Sequence, residues 1–157
     1  MRDIGELSAY LNKFTSKVVE NVTKAQKETA KKIQEDAKDI ISSKINSGGT
    51  YVNSIKVSDT KKESNAITTK IYTDATVSTL GGATYNLGYL LENGTSPHLI
   101  EPLNSSVLRF EINGETIFAK RVHHPGTIAR EHFKPALEQN EYVYLENIEK
   151  AIREAGK

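Results

Sequence analysis

The chain has 157 residues, a length that suits one domain built around a single core. Its 21 basic and 20 acidic residues nearly cancel, so no strong field selects DNA or an anionic membrane as a partner. Cysteine is absent, which excludes disulfide staples, thiolate nucleophiles and cysteine-ligated zinc. The opening MRDIGELSAYLNKF interrupts with polar residues where a secretory signal needs an apolar run, and no later stretch approaches about 18 apolar residues. A soluble protein made in the cytoplasm, with no membrane partner, is expected. Within a single domain over 1–157, a helical region spans 1–45, the sheet and motifs 50–137, and a last helix 135–155.

From Asp3 to about Ile45, apolar residues recur at three- and four-residue spacing: Ile4, Leu7, Leu11, Phe14, Val18, Val22, Ala25, Ile33, Ala37, Ile40 and Ile41. That period marks an amphipathic helix. Unbroken, it would run about 60 Å, roughly twice the diameter of a small domain. The favoured expectation is a break near Val19–Thr23 that folds both pieces back; the other is an arm that packs on a neighbouring subunit. NSGGTYVN, residues 46–53, then ends the helix with residues that tolerate a left-handed C-cap.

Ile55 and Val57, and after the polar loop SDTKKESNA Ile67, Thr69 and Ile71, alternate with polar residues as two antiparallel strands would. A second hairpin is sharper. Leu108, Phe110 and Ile112 lead into Asn113-Gly114, the preferred type I′ turn, and Ile117 and Ala119 return on the same face. Between the hairpins, residues 74–84 are rich in Thr, Ser and Gly and read as a mobile surface loop. Thr76, Leu80, Gly81 and Gly82 in that loop are the candidate interface. Tyr85 to Glu92 predict two helical turns capped by Gly94, and Ser96-Pro97 and Glu101-Pro102 force extended chain. Pro135 suits the first turn of a last helix with Leu137, Tyr144, Ile148 and Ile152 as its stripe. The fold class is α+β: a small antiparallel sheet of two hairpins packed by a long N-terminal, a short middle and a C-terminal helix.

Motifs of enzyme chemistry are missing: there is no glycine-rich phosphate loop, no HExxH and no G-x-S-x-G. No catalytic residue and no cofactor is assigned. His98, His123, His124 and His132 could gather round a metal, but neighbours in a strand point to opposite faces, so His123 and His124 cannot both turn inward. No metal is assigned either, and a small metal-dependent hydrolase is the minor alternative. For HHPGT the simpler reading is a corner: Pro125 presets the first central position of a turn, Gly126 takes the positive-φ position, and His124 is held extended by the proline.

Taken in order, GGTYVNSI (48–55), YLLENGTSPHLIEP (89–102) and FAKRVHHPGTIAREHFKPAL (118–137) resemble the tail-completion or head–tail joining family of long-tailed bacteriophages, minor structural proteins of the neck. The resemblance covers roughly residues 45–137. On it, Glu92, Gly94, Thr95, His98, Ile100 and Pro102 take one family signature, and His124, Pro125, Gly126, Thr127, Phe133, Pro135, Ala136 and Leu137 the other. With Asn113 and Gly114 these are structural motif positions, since the family has no known catalytic role. The chain departs from the pattern in ENGTSPH, where a basic or aromatic residue commonly follows the Gly-Thr pair, and in the extra His123.

The resemblance implies a virion protein of the neck or head–tail interface that caps the tail and joins it to the head. Its implied partners are further copies of itself in a ring, with a hexamer as the candidate count, the tail terminator or tube protein, and the head-closure or connector protein. DNA would pass through without sequence-specific binding. A head-closure or tail-tube subunit is the structural alternative.

Overall fold

The computed structural model describes residues 3–46, 49–79 and 82–157. The chain runs α1 (Ile4–Lys44), α2 (Thr50–Asn53), β1 (Ile55–Val57), β2 (Lys61–Lys62), β3 (Ile67–Thr68), β4 (Ile71–Thr73), β5 (Thr76–Ser78), β6 (Thr84–Asn86), α3 (Leu87–Asn93), β7 (His98–Ile100), β8 (Leu108–Ile112), β9 (Glu115–Ala119), β10 (Val122–His124) and α4 (Phe133–Ala155). This is the expected α+β class with a long first and last helix. Its β structure is divided among two-stranded antiparallel ladders. Two compact units form, Met1–Tyr72 with His132–Lys157, and Thr73–Glu131.

In the first unit, α1 is one continuous helix of 41 residues. The break expected near Val19–Thr23 is not there, for reasons that are local. After Gly5 the helix contains neither glycine nor proline, the two residues that end helices most effectively. The Thr23 hydroxyl bonds back to the Val19 carbonyl without interrupting the helix, and packing adds support where the Asn21 amide donates to the Ala151 carbonyl of α4 at 3.1 Å. The helix also stops differently than expected. Its cap is Ile45 in extended conformation, and the left-handed Gly49 (φ 85°) instead opens α2. Ser47 and Gly48 lie outside the described residues.

α4 lies antiparallel along α1. Asn147 bonds to Thr29 at 3.4 Å and Asn140 to Asp36 at 2.7 Å, so contacts move up one helix as they move down the other. The face of α4 that meets α1 follows the predicted stripe only in part: Tyr144 and Ile148 are half-buried. Ala136, Asn140, Ala151 and Ala155 are buried, whereas Leu137 and Ile152 are exposed. Small residues let the two backbones approach, and the larger apolar bulk comes from α1 through Ile33 and Ile41. Ile40, Ile71 and Phe133 pack against the Ile33–Ala37–Ala136 cluster, which ties the first hairpin to the helices. In that hairpin β1 pairs with β4 and β2 with β3, so Lys61–Lys62 of the expected loop are strand and residues 63–66 make the turn.

The seam carries a charge test. The Asp36 carboxylate accepts hydrogen bonds from Lys32 and Asn140, and these hold its carboxyl below the usual carboxylate range. A depressed folded pKa adds stability above the unfolded value and loses it as pH falls through the folded one. Asp36→Asn should therefore flatten the loss of stability below about pH 4. Urea midpoints down an acid series, wild type against variant, read it directly.

In the second unit, β8 and β9 join through Asn113 (φ 52°) and Gly114 (φ 84°), the type I′ turn expected. Leu108↔Ala119 and Phe110↔Ile117 share the more buried face. The Thr/Ser/Gly stretch expected as a loop is a further hairpin, with Thr76↔Asn86, Val77↔Tyr85 and Ser78↔Thr84 paired. Of the candidate interface residues there, Thr76 opens β5, Gly82 takes positive φ in the turn region, and Leu80 and Gly81 lie outside the described residues. β6 consumes the first residues of the expected middle helix. Asn86 then caps α3, its side chain accepting from the Tyr89 N–H at 2.9 Å.

Candidate functional site

The two Gly-Thr motifs of the second unit converge on one junction. α3 ends at Gly94 (φ 69°), and the chain passes through Thr95 into β7. From the other side β10 ends at His124, turns through Pro125 and Gly126 (φ 86°), and leaves through Thr127. The two segments are antiparallel. His98↔His124, Leu99↔His123 and Ile100↔Val122 pair in register, and beyond the proline of each segment the pairing resumes at Thr95↔Thr127. There the Thr95 N–H donates to the Thr127 carbonyl at 2.9 Å and the Thr127 N–H to the Thr95 carbonyl at 3.0 Å. Further on, the Arg130 N–H donates to the Leu91 carbonyl at 2.7 Å, which ties the outgoing chain to α3.

Both glycines serve close approach as well as turning. A Cβ on Gly94 would come within 2.8 Å of the Ala129 nitrogen and closer still to the Thr127 carbonyl oxygen. A Cβ on Gly126 would come within 2.9 Å of the Ser96 carbonyl carbon and closer still to the Thr95 carbonyl oxygen. Each glycine thus sits against the residues that follow the other. The arrangement is reciprocal: Gly94-Thr95 and Gly126-Thr127 are the same dipeptide, and each lets the opposing backbone in.

The histidines are partly assembled. The rings of His98 and His124 stack with centroids 4.9 Å apart. His98 Nδ1 lies 2.9 Å from the Ser96 carbonyl, to which it can only donate, while His124 Nδ1 accepts from the Gly126 N–H at 3.1 Å. The two rings therefore carry their protons on different nitrogens, and the His124 ring braces the corner that Pro125 and Gly126 make. His123 is exposed, in register with Leu99. His132 belongs to the first unit, where it is fully buried with the Tyr51 hydroxyl 2.8 Å from its Nε2. Among the described residues no group of three or more His, Cys, Asp or Glu side chains could hold a metal ion.

The remaining motif residues divide. Glu92 is half-buried near the end of α3, Pro102 follows β7, and Asn113-Gly114 turn the β8–β9 hairpin. Phe133 and Pro135 lie in the first turn of α4, with Phe133 against the His132 ring at 4.3 Å. Sequence reading missed β7 and β10, because three-residue strands flanked by proline carry no period to detect. The repeated Gly-Thr doublet was the available signal for their pairing.

The family model of HK97-gp10-like proteins, described as "Bacteriophage HK97-gp10, putative tail-component", matches residues 5–94. The match takes in α1, the first hairpin and α3, and it ends at the first glycine of the junction. No curated protein and no solved structure matches the chain.

Proposed function

The chain belongs to the HK97-gp10-like family of phage tail components, and from that premise we propose that it completes the phage tail and joins it to the head connector. It acts at the neck of the virion as a ring of copies, six in the reading that the resemblance suggests, with DNA passing through the opening. The observation that carries this is the family match over 5–94 together with the second motif, HPGT, closing on the Gly-Thr at the end of the matched segment. The two Gly-Thr segments of the second unit act together as an interlocked corner, which suits a protein whose work is to hold surfaces in place. Partners of the ring are the tail terminator or tube protein on one side and the head-closure or connector protein on the other. The β5–β6 hairpin, with Val77 and Tyr85 exposed, offers one of the contact surfaces. Near-zero net charge keeps copies from repelling one another.

The expected result of deleting the gene is finished tails and filled heads that accumulate separately, and purified protein added to the mixture should restore infectious particles. Joined, infectious particles without the protein would overturn the reading. Tails lacking a tube would move it to the tube-subunit alternative.

A further inference from the structure

The chain contains two Asn-Gly pairs, Asn93-Gly94 and Asn113-Gly114, both in the second unit. In such a pair the glycine nitrogen can attack the side-chain amide before it, and with no Cβ on the glycine nothing at that residue obstructs the attack. The reaction needs a glycine N–H open to solvent, an asparagine side chain at liberty to fold over it, and water. The two pairs differ on every count.

Asn93-Gly94 is held shut. The Asn93 amide donates to the Tyr89 carbonyl at 3.0 Å, and the Gly94 N–H donates to the Leu90 carbonyl at 2.8 Å. Gly94 is also pressed against the backbone of Thr127 and Ala129, so the reacting atoms cannot rearrange without opening the junction. Asn113-Gly114 is open. Both residues are exposed, and a Cβ built on Gly114 would meet nothing within 4 Å. In the two-residue turn the ladder closes between Ile112 and Glu115, which leaves the Gly114 N–H to water.

We infer that Asn113 is a site of spontaneous deamidation, with water as the only reactant and Asn93 spared, and that the change unfastens the β8–β9 hairpin. The Gly114 nitrogen gives its proton to solvent and bonds to Asn113 Cγ, while the side-chain nitrogen takes up a proton and leaves as ammonia. Water then opens the cyclic imide at either carbonyl. Opening at Cγ gives aspartate; opening at the main-chain carbonyl gives isoaspartate, with the chain rerouted through the side chain. One water is consumed, one ammonia is released, and nothing is oxidised or reduced. Isoaspartate adds a backbone atom to a turn whose length sets the register, and either product places a new carboxylate between Glu111 and Glu115. Among the described strands β8 and β9 pair only with each other, and a two-stranded ladder is marginal on its own. Near the tip Ile112 is 50% exposed, so burial does little to hold that end together.

The test is to age the full chain at mildly alkaline pH, folded and in urea, and to follow the peptides containing Asn93 and Asn113 by mass spectrometry. An isoaspartate-specific methyltransferase marks the rerouted product. In the folded protein Asn113 should convert several-fold faster than Asn93, and in urea, where neither pair is held, the two rates should come together. Equal rates in the folded protein, faster conversion at Asn93, or the same ratio in urea would each overturn the inference. Asn113→Gly keeps a residue that accepts positive φ and removes the reacting amide. Aged wild type should lose amide-exchange protection at Phe110 and Ile117, which pair in the ladder, and aged Asn113→Gly should keep it. Protection that survives conversion in wild type, or that is lost equally in the variant, would sink the link from Asn113 to the hairpin.

Discussion

Gly126→Ala should be among the most damaging single-atom additions in this chain, and Gly94→Ala should match it. Each residue sits at positive φ, where a Cβ alone costs about 1 kcal/mol. Each also abuts backbone, not the end of a flexible side chain, so the intruding carbon must push apart two segments held by reciprocal hydrogen bonds. Overpacking of that kind adds about 1–3 kcal/mol, for a total of about 2–4 kcal/mol per variant. The two losses should not add. Once either glycine is replaced, the Thr95–Thr127 bridge has already opened, and the second substitution enters a gap that exists. Urea midpoints of both single variants and the double variant form a cycle whose coupling term should be favourable and exceed about 0.5 kcal/mol. Amide exchange at Thr95 and Thr127 should speed up in all three. Strict additivity, or an Ala at 126 that leaves the midpoint unchanged, would mean the two Gly-Thr segments are not interlocked.

How much of this was legible depends on the range of the signal. The α1 helix, the Asn113-Gly114 hairpin and the Gly94 cap were readable because each is fixed by neighbours a few residues away. The face of α4 is legible in part, because periodicity finds Tyr144 and Ile148, which are half-buried, whereas close helix packing selects the alanines over Leu137 and Ile152. Length argues against the continuity of α1, since about 60 Å is roughly twice the diameter of a small domain, yet nothing in the local chemistry breaks the helix. At the junction, Gly126 was correctly placed at positive φ as a corner, but the partner of that corner lies 32 residues earlier in the chain. No local pattern carries such a pairing, and only the resemblance grouped the two motifs before the structure joined them.

The same holds for the pair Tyr51 and His132, which belong to two of the quoted motif stretches, lie 81 residues apart and meet in the first unit. Both are buried, His132 completely, and the His132 ring also packs edge-on against Tyr51 and beside Phe133. His132→Ala should cost about 3–5 kcal/mol, the range for deleting a buried ring. Tyr51→Phe keeps the shape and removes only the hydroxyl that meets Nε2, so about 1–3 kcal/mol is expected, the cost of taking a hydrogen-bond partner from a buried polar atom. His132→Phe alone imposes the converse loss on the tyrosine hydroxyl. Combining Tyr51→Phe with His132→Phe removes both ends of the Tyr51–Nε2 bond together, and the double variant should be more stable than the sum of the single losses allows. Thermal midpoints of the four proteins decide it. Should Tyr51→Phe be neutral while His132→Ala unfolds the chain, the histidine would be held by packing and its hydrogen bond to Tyr51 would contribute nothing to the stability of the helix it precedes.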